Sequence, residues 1–93
     1  LKIIQTKHFG RQKKKLNAHQ IRDLDKAILT LIENPEAGEQ KRGDLSTIRV
    51  YKFRLLGQLC LLAYTYEPDG KSLCLYAVGP HENFYRDLKR SID

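Results

Sequence analysis

The sequence predicts an α+β fold: an N-terminal strand, an α-helical hairpin packed on one face of an antiparallel sheet of about four strands, and a short C-terminal helix. Three observations predict it. Ile21, Leu24, Ile28, Leu31 and Ile32 recur at helical spacing. Three later segments, Thr47–Leu55, Leu59–Tyr66 and Ser72–Val78, have strand composition and are separated by glycine-bearing turns. Gly79-Pro80 then separates the last strand from an amphipathic tail. The chain has 93 residues, enough for one hydrophobic core, so 1–93 reads as a single domain.

Each element has a local reason. Lys2-Ile3-Ile4-Gln5 is short and β-branched, and forms the first strand. Thr6 caps a helix over Lys7–Leu16, weakened by Gly10. Asn17 caps the second helix, with Gln20 completing a capping box, and Pro35 ends it near Glu33-Asn34. Residues 35–46 read as loop, with Pro35, Gly38, Gly43 and Asp44. The first two strands of the meander join through Gly57, and the next pair through Glu67-Pro68-Asp69-Gly70-Lys71. The last helix is expected around Glu82–Ser91, with Phe84, Leu88 and Ile92 on one side.

Pairing Glu67 with Lys71 sets Tyr64 opposite Cys74 and Cys60 opposite Val78. One sheet face then carries Leu59, Leu61, Ala63, Leu73, Leu75 and Ala77, and is the expected seat of the helical hairpin. The other carries Cys60, Leu62, Tyr64, Tyr66, Cys74, Tyr76 and Val78, and is the expected wall of a functional groove. The two thiols share that face four positions out of register. At about 3.3 Å per residue this separates them by more than a disulfide spans, so both are expected reduced. No Cys/His cluster suggests zinc, and neither metal nor cofactor is expected. No apolar run approaches the roughly 18 residues of a membrane helix and no secretory segment opens the chain, so a soluble protein with no membrane partner is expected, and the reduced thiols point to the cytoplasm. Leu1 reads as following an initiator Met that was removed or not recorded.

The net charge is +6, unevenly spread. Residues 1–26 carry eight basic and two acidic side chains, and residues 45–66 carry Arg49, Lys52 and Arg54 with no acid. Such zones favour a polyanionic or acidic partner. The run Lys13-Lys14-Lys15 reads as a solvated helix face. Alternation along Arg49-Val50-Tyr51-Lys52-Phe53-Arg54 puts Lys52 and Arg54 on one side, about 7 Å apart, and Arg49 on the other. His81 follows a strand end, and Tyr85 shares its face if a helix begins there. Cations that neutralise a phosphorane, an imidazole that moves a proton near neutral pH and an aromatic ring that orients substrate suit metal-free RNA cleavage. His8 and His19 are assigned no role.

The order strand, helical hairpin, meander, short helix resembles the RelE/ParE superfamily of toxin–antitoxin toxins. The resemblance rests on Gly43-Asp44-Leu45, Val50-Tyr51-Lys52-Phe53-Arg54, Leu61-Leu62-Ala63-Tyr64 and Gly79-Pro80-His81-Glu82-Asn83-Phe84-Tyr85, spanning nearly the whole chain. The RelE branch implies a ribosome-dependent endoribonuclease that cuts mRNA and is held inactive by a cognate acidic antitoxin. Its Tyr-Lys-x-Lys strand motif matches Tyr51-Lys52-Phe53-Arg54, its residue after the last strand matches His81, and its late aromatic matches Tyr85. By that resemblance Lys52, Arg54, His81 and Tyr85 are the catalytic set, and Arg49 and Arg86 bind substrate. The RelE branch carries an Arg about where this chain reads Leu61, a departure that shifts a phosphate ligand to Arg49 or Arg86. The ParE branch implies instead a non-enzymatic inhibitor of DNA gyrase. An antitoxin segment is expected to cover the basic cleft or displace the last helix, through an exposed Phe84/Leu88/Ile92 stripe.

Overall fold

The structure is a computed structural model that describes residues 2–43, 47–67 and 71–92. The elements are β1 (Lys2–Gln5), α1 (Lys7–Lys14), α2 (Ala18–Glu33), β2 (Glu39–Gln40), β3 (Arg49–Leu55), β4 (Gln58–Tyr66), β5 (Ser72–Pro80) and α3 (Phe84–Ile92). The fold is the expected α+β arrangement, with the sheet larger and mixed. It has five strands in the order β1-β5-β4-β3-β2, with β1 parallel to β5 and the other pairs antiparallel. The added strand, β2, lies where a loop was expected. Two exposed polar residues pairing with Val50 and Arg49 leave no hydrophobic alternation to read. Asp44, Leu45, the turn residues Pro68, Asp69 and Gly70, and the Ile92 side chain lie outside the described residues.

The helix caps are those expected. Thr6 Oγ1 accepts from the Phe9 amide at 3.1 Å, and Asn17 and Gln20 exchange reciprocal 2.9 Å bonds. The first helix stops at Lys14 rather than Leu16, where the Lys15 and Leu16 amides turn back to the Gln12 and Lys13 carbonyls. The third starts at Phe84 rather than Glu82, because Asn83 takes φ 60°.

The β4–β5 register differs from the expected one. Cys60 pairs with Pro80 and Ala63 with Ala77, but Tyr64 pairs with Leu75, leaving Tyr76 as the extra residue of a β-bulge. The bulge reverses the alternation of β5, so neither expected face exists as a whole. Leu73, Leu75 and Val78 join Cys60, Leu62 and Tyr64 against Phe9, Leu24, Ala27 and Leu31 of the helical hairpin. Leu61, Ala63 and Ala77 face the other way, with Ile48 and Val50, against Phe84 and Leu88 of α3. The hairpin therefore covers the face that was expected to wall a groove, and Tyr64 is fully buried beneath it. The two thiols point to opposite faces and are free. Burial pushes both of them up from the ordinary thiol value.

Tyr64 also fixes the chain after α2. Its hydroxyl donates to the Pro35 carbonyl at 2.5 Å and accepts from the Gly38 amide at 2.9 Å. A Cβ at Gly38 would stand 2.7 Å from the Tyr64 ring, so glycine is required by that approach. Tyr64→Phe should cost about 1–3 kcal/mol by leaving two polar groups unpaired, and Gly38→Ala should be destabilising too; denaturant unfolding measures both. The β3–β4 turn supplies a second test. Leu56 and Gly57 have φ 50° and 85°, and Asp23 of α2 accepts from the Leu56 amide at 2.8 Å. A leucine is strained at positive φ, and Leu56 is 57% exposed. Leu56→Asn should therefore raise unfolding stability, by up to about 1 kcal/mol.

Candidate functional site

The site follows from the rows of the sheet. On the α3 side Lys52 pairs with Leu61, which pairs with Gly79, and Arg54 pairs with Leu59 one row further. Lys52 and Arg54 are both exposed, on the edge that β3 presents beyond the two residues covered by β2. Phe53 pairs with Cys60 and Cys60 with Pro80, and β3 and β5 run in the same direction. His81 thus lies level with Arg54, two strand spacings or about 10 Å away. The Arg54 guanidinium donates to the Gly57 carbonyl at 3.1 Å, which holds it at the β3–β4 turn. His81 is exposed in the turn ahead of α3, with its carbonyl accepting from the Phe84 amide at 3.4 Å.

Leu61 occupies the middle of the Lys52 row and is fully buried in the cluster that includes Phe84. A cation there would lose its water beneath α3. Phe84 and Leu88 are likewise buried, 4% and 0% exposed, so the expected exposed stripe is instead the contact that docks α3 on the sheet.

The remaining candidates separate. Because the helix begins at Phe84, His81 and Tyr85 do not share a helix face. Tyr85 is half-buried, edge-on to Phe84 at 5.6 Å between ring centres, with the Lys41 ammonium 5.1 Å from its own ring centre. Lys41 donates its amide to Ile48, four residues along the sheet from Lys52, or about 13 Å. Arg49 is on the opposite face from Lys52, as alternation required. It donates to the Gly38 carbonyl at 2.8 Å and stacks on Tyr66 at 5.5 Å, so its charge is tied to the loop after α2. Arg86 is exposed on α3. Lys52, Arg54 and His81 thus form one group at one end of the sheet, and Tyr85 with Lys41 forms another. Lys41 escaped sequence reasoning because Lys41-Arg42 lies in a segment that is acidic overall.

Among the described residues no group of three His, Cys, Asp or Glu side chains could hold a metal, and no helix is long and apolar enough to cross a membrane. A family model described as the ParE-like toxin of type II bacterial toxin–antitoxin systems matches residues 3–89. The chain belongs to this family. Solved structures agree on the fold. A mutant of Escherichia coli toxin RelE in the free state has a TM-score of 0.72 at 18% identity, over 99% of this chain and 97% of that one. A chain of the intact E. coli RelBE toxin–antitoxin complex gives 0.67 at 18% identity, over 87% and 96%. A conserved hypothetical protein from Helicobacter pylori gives 0.55 at 26% identity, over 87% and 94%. A search of curated protein sequences finds no significant match.

Electrostatically, this ParE-like toxin presents Lys52 and Arg54 without an acid on β3 or β4 to offset them. Two such cations on neighbouring rows suit a pair of phosphate oxygens. At the other group, the hydrogen bond to Tyr85 is the main cause that raises the Lys41 ammonium above its ordinary value of 10.5, with Glu39, 3.6 Å away, adding to it. A raised lysine stabilises fully below its unfolded value, and the contribution is lost as pH rises through the folded one. The stability difference between wild type and Tyr85→Phe should therefore be flat at neutral pH and shrink as pH rises past 10.5; urea unfolding between neutral and strongly alkaline pH measures it.

Proposed function

We propose that this toxin cleaves mRNA on the ribosome and is restrained by a cognate acidic antitoxin. The observation that carries the reading is the grouping of exposed Lys52 and Arg54 on one sheet face, level with exposed His81. In the reaction the ribose 2′-oxygen loses its proton and bonds to phosphorus, and the bond from phosphorus to the 5′-oxygen breaks. The products are a 2′,3′-cyclic phosphate and a 5′-hydroxyl. Lys52 and Arg54 neutralise the charge that develops on the phosphorane; in the alternative assignment Lys52 enters as the neutral amine, accepts the 2′ proton and leaves the initial neutralisation to Arg54. His81 protonates the leaving 5′-oxygen. Tyr85 and Arg86 extend the substrate track along α3, and Arg49 acts indirectly by holding the Gly38 loop. An exposed cationic sheet end is also what an acidic antitoxin segment would cover, as the toxin–antitoxin pairing of this family requires.

A second reading has its own support. Buried Leu61 leaves no cation between Lys52 and Gly79, which favours a surface that binds a protein such as DNA gyrase over one that encloses a scissile phosphate. Pulse expression followed by mapping of mRNA 5′ ends, alongside gyrase supercoiling assays, separates the two. Cleaved message with active gyrase is expected, and intact message with inhibited gyrase would overturn the enzyme reading. His81→Ala should lower the cleavage rate by about 10²- to 10⁴-fold with unchanged thermal unfolding.

A further inference from the structure

A groove of about 270 Å³ opens on the helical face at the same end of the sheet as His81 and Arg54. Leu16, Leu55 and Pro80 contribute apolar walls, and Gln12, Gln20, Gln58 and Lys15 contribute its polar groups. Leu55 and Pro80 are the chain neighbours of Arg54 and His81, so the groove begins one residue from both members of the candidate site. Two of the amides are fixed. Gln12 Oε1 accepts from the Val78 amide at 2.8 Å, and Gln20 Oε1 accepts from the Asn17 amide at 2.9 Å. With both oxygens engaged, these side chains present their NH₂ groups. A groove with apolar walls, two oriented donors and one ammonium matches a flat ring that carries carbonyl acceptors and an attached phosphate.

We propose that this groove is a nucleobase subsite that selects bases with a keto group at purine C6 or pyrimidine C4, guanine or uracil, beside the phosphate held by Lys52 and Arg54. The proposal rests on the reading of the sheet end as an RNA site and deepens it. Guanine O6 or uracil O4 accepts from a glutamine donor, whereas adenine and cytosine set their N6 or N4 amino group at that same position. Lys15 takes the nucleotide's own phosphate. Gln58 is exposed and adapts to either purine or pyrimidine.

The test is titration of the isotope-labelled full chain with GMP, UMP, AMP and CMP, read from the side-chain amide NMR signals of Gln12, Gln20 and Gln58. GMP or UMP should shift these signals and bind about 3- to 10-fold tighter than AMP or CMP; which of the two is stronger identifies the base. Gln20→Glu keeps the acceptor of the capping box and removes the donor, so the fold is retained and the GMP-to-AMP preference should fall towards one. Lys15→Gln should weaken GMP and leave guanosine unchanged. Equal shifts for all four nucleotides, shifts confined to Lys52, Arg54 and His81, or no shift with any nucleotide would each overturn the subsite. The nucleotide titration does not depend on turnover. A chain that binds GMP in the groove but leaves message intact removes the cleavage reading and keeps the subsite, and a chain that cleaves message without these shifts does the reverse.

Discussion

Opposite the junction of Ala63 and Tyr64 in β4, the neighbouring strand carries one residue more than the ladder needs, and the side-chain alternation of β5 reverses there. Leu73 and Leu75 before the bulge and Val78 after it can then all face the helical hairpin, while Ala77 turns to α3. Without the insertion, Val78 would point at α3 and Ala77 at the hairpin, and both layers would be mismatched in volume. The bulge also organises the backbone around it. β1 stops pairing at Leu75, and Thr6 takes over, its amide donating to the Leu75 carbonyl and its hydroxyl to the Tyr76 carbonyl, each at 3.0 Å. Thr6 is at the same time the cap of α1, and Gln12 on that helix accepts from the Val78 amide. The edge of β5 that β1 leaves uncovered is thus closed by α1.

The same reversal positions the candidate functional end of the sheet. It brings Gly79 under Phe84, whose ring would lie 3.9 Å from a Cβ there, and carries the chain out of the sheet at His81, level with Arg54. α3 returns over Leu61 and directs Tyr85 to Lys41 rather than to Lys52 and Arg54. Cation placement therefore divides by role. Lys52 and Arg54 are presented to solvent, Lys41 is held by a tyrosine, and Arg49 is bound to loop carbonyls. Net charge alone does not distinguish these roles, because each depends on which face and which row a residue occupies.

One end of the sheet serves two layers. On the α3 side it offers charge, and on the hairpin side a groove with apolar walls and glutamine donors, with Arg54 next to Leu55 and His81 next to Pro80. Under the proposed function, a nucleotide chain crossing that end would meet cations for its phosphate and a differently built recess for its base. This division between positioning contacts and base-reading contacts is general in nucleic-acid recognition.

Much of the architecture was legible in the sequence. Both helix caps, the apolar stripe of α2, the three meander strands and the opposed directions of Arg49 and Lys52 follow from local spacing, because capping bonds and alternation act over a few residues. The RelE/ParE resemblance followed from motif order for the same reason. The sequence did not determine the parallel pairing of β1, the two-residue β2, the bulge at Tyr76 or the start of α3 beyond His81. These depend on contacts between residues tens of positions apart, such as Thr6 with Tyr76 and Gly38 with Tyr64. A one-residue change of register exchanges the faces of a strand, so the burial of Tyr64 and Leu61 and the separation of Tyr85 from His81 were decided by tertiary packing. The sequence by itself determined which residues carry charge and which segments become helix or strand. The tertiary structure decided which of those charges share a surface, because that depends on the register and on which helix closes over each face.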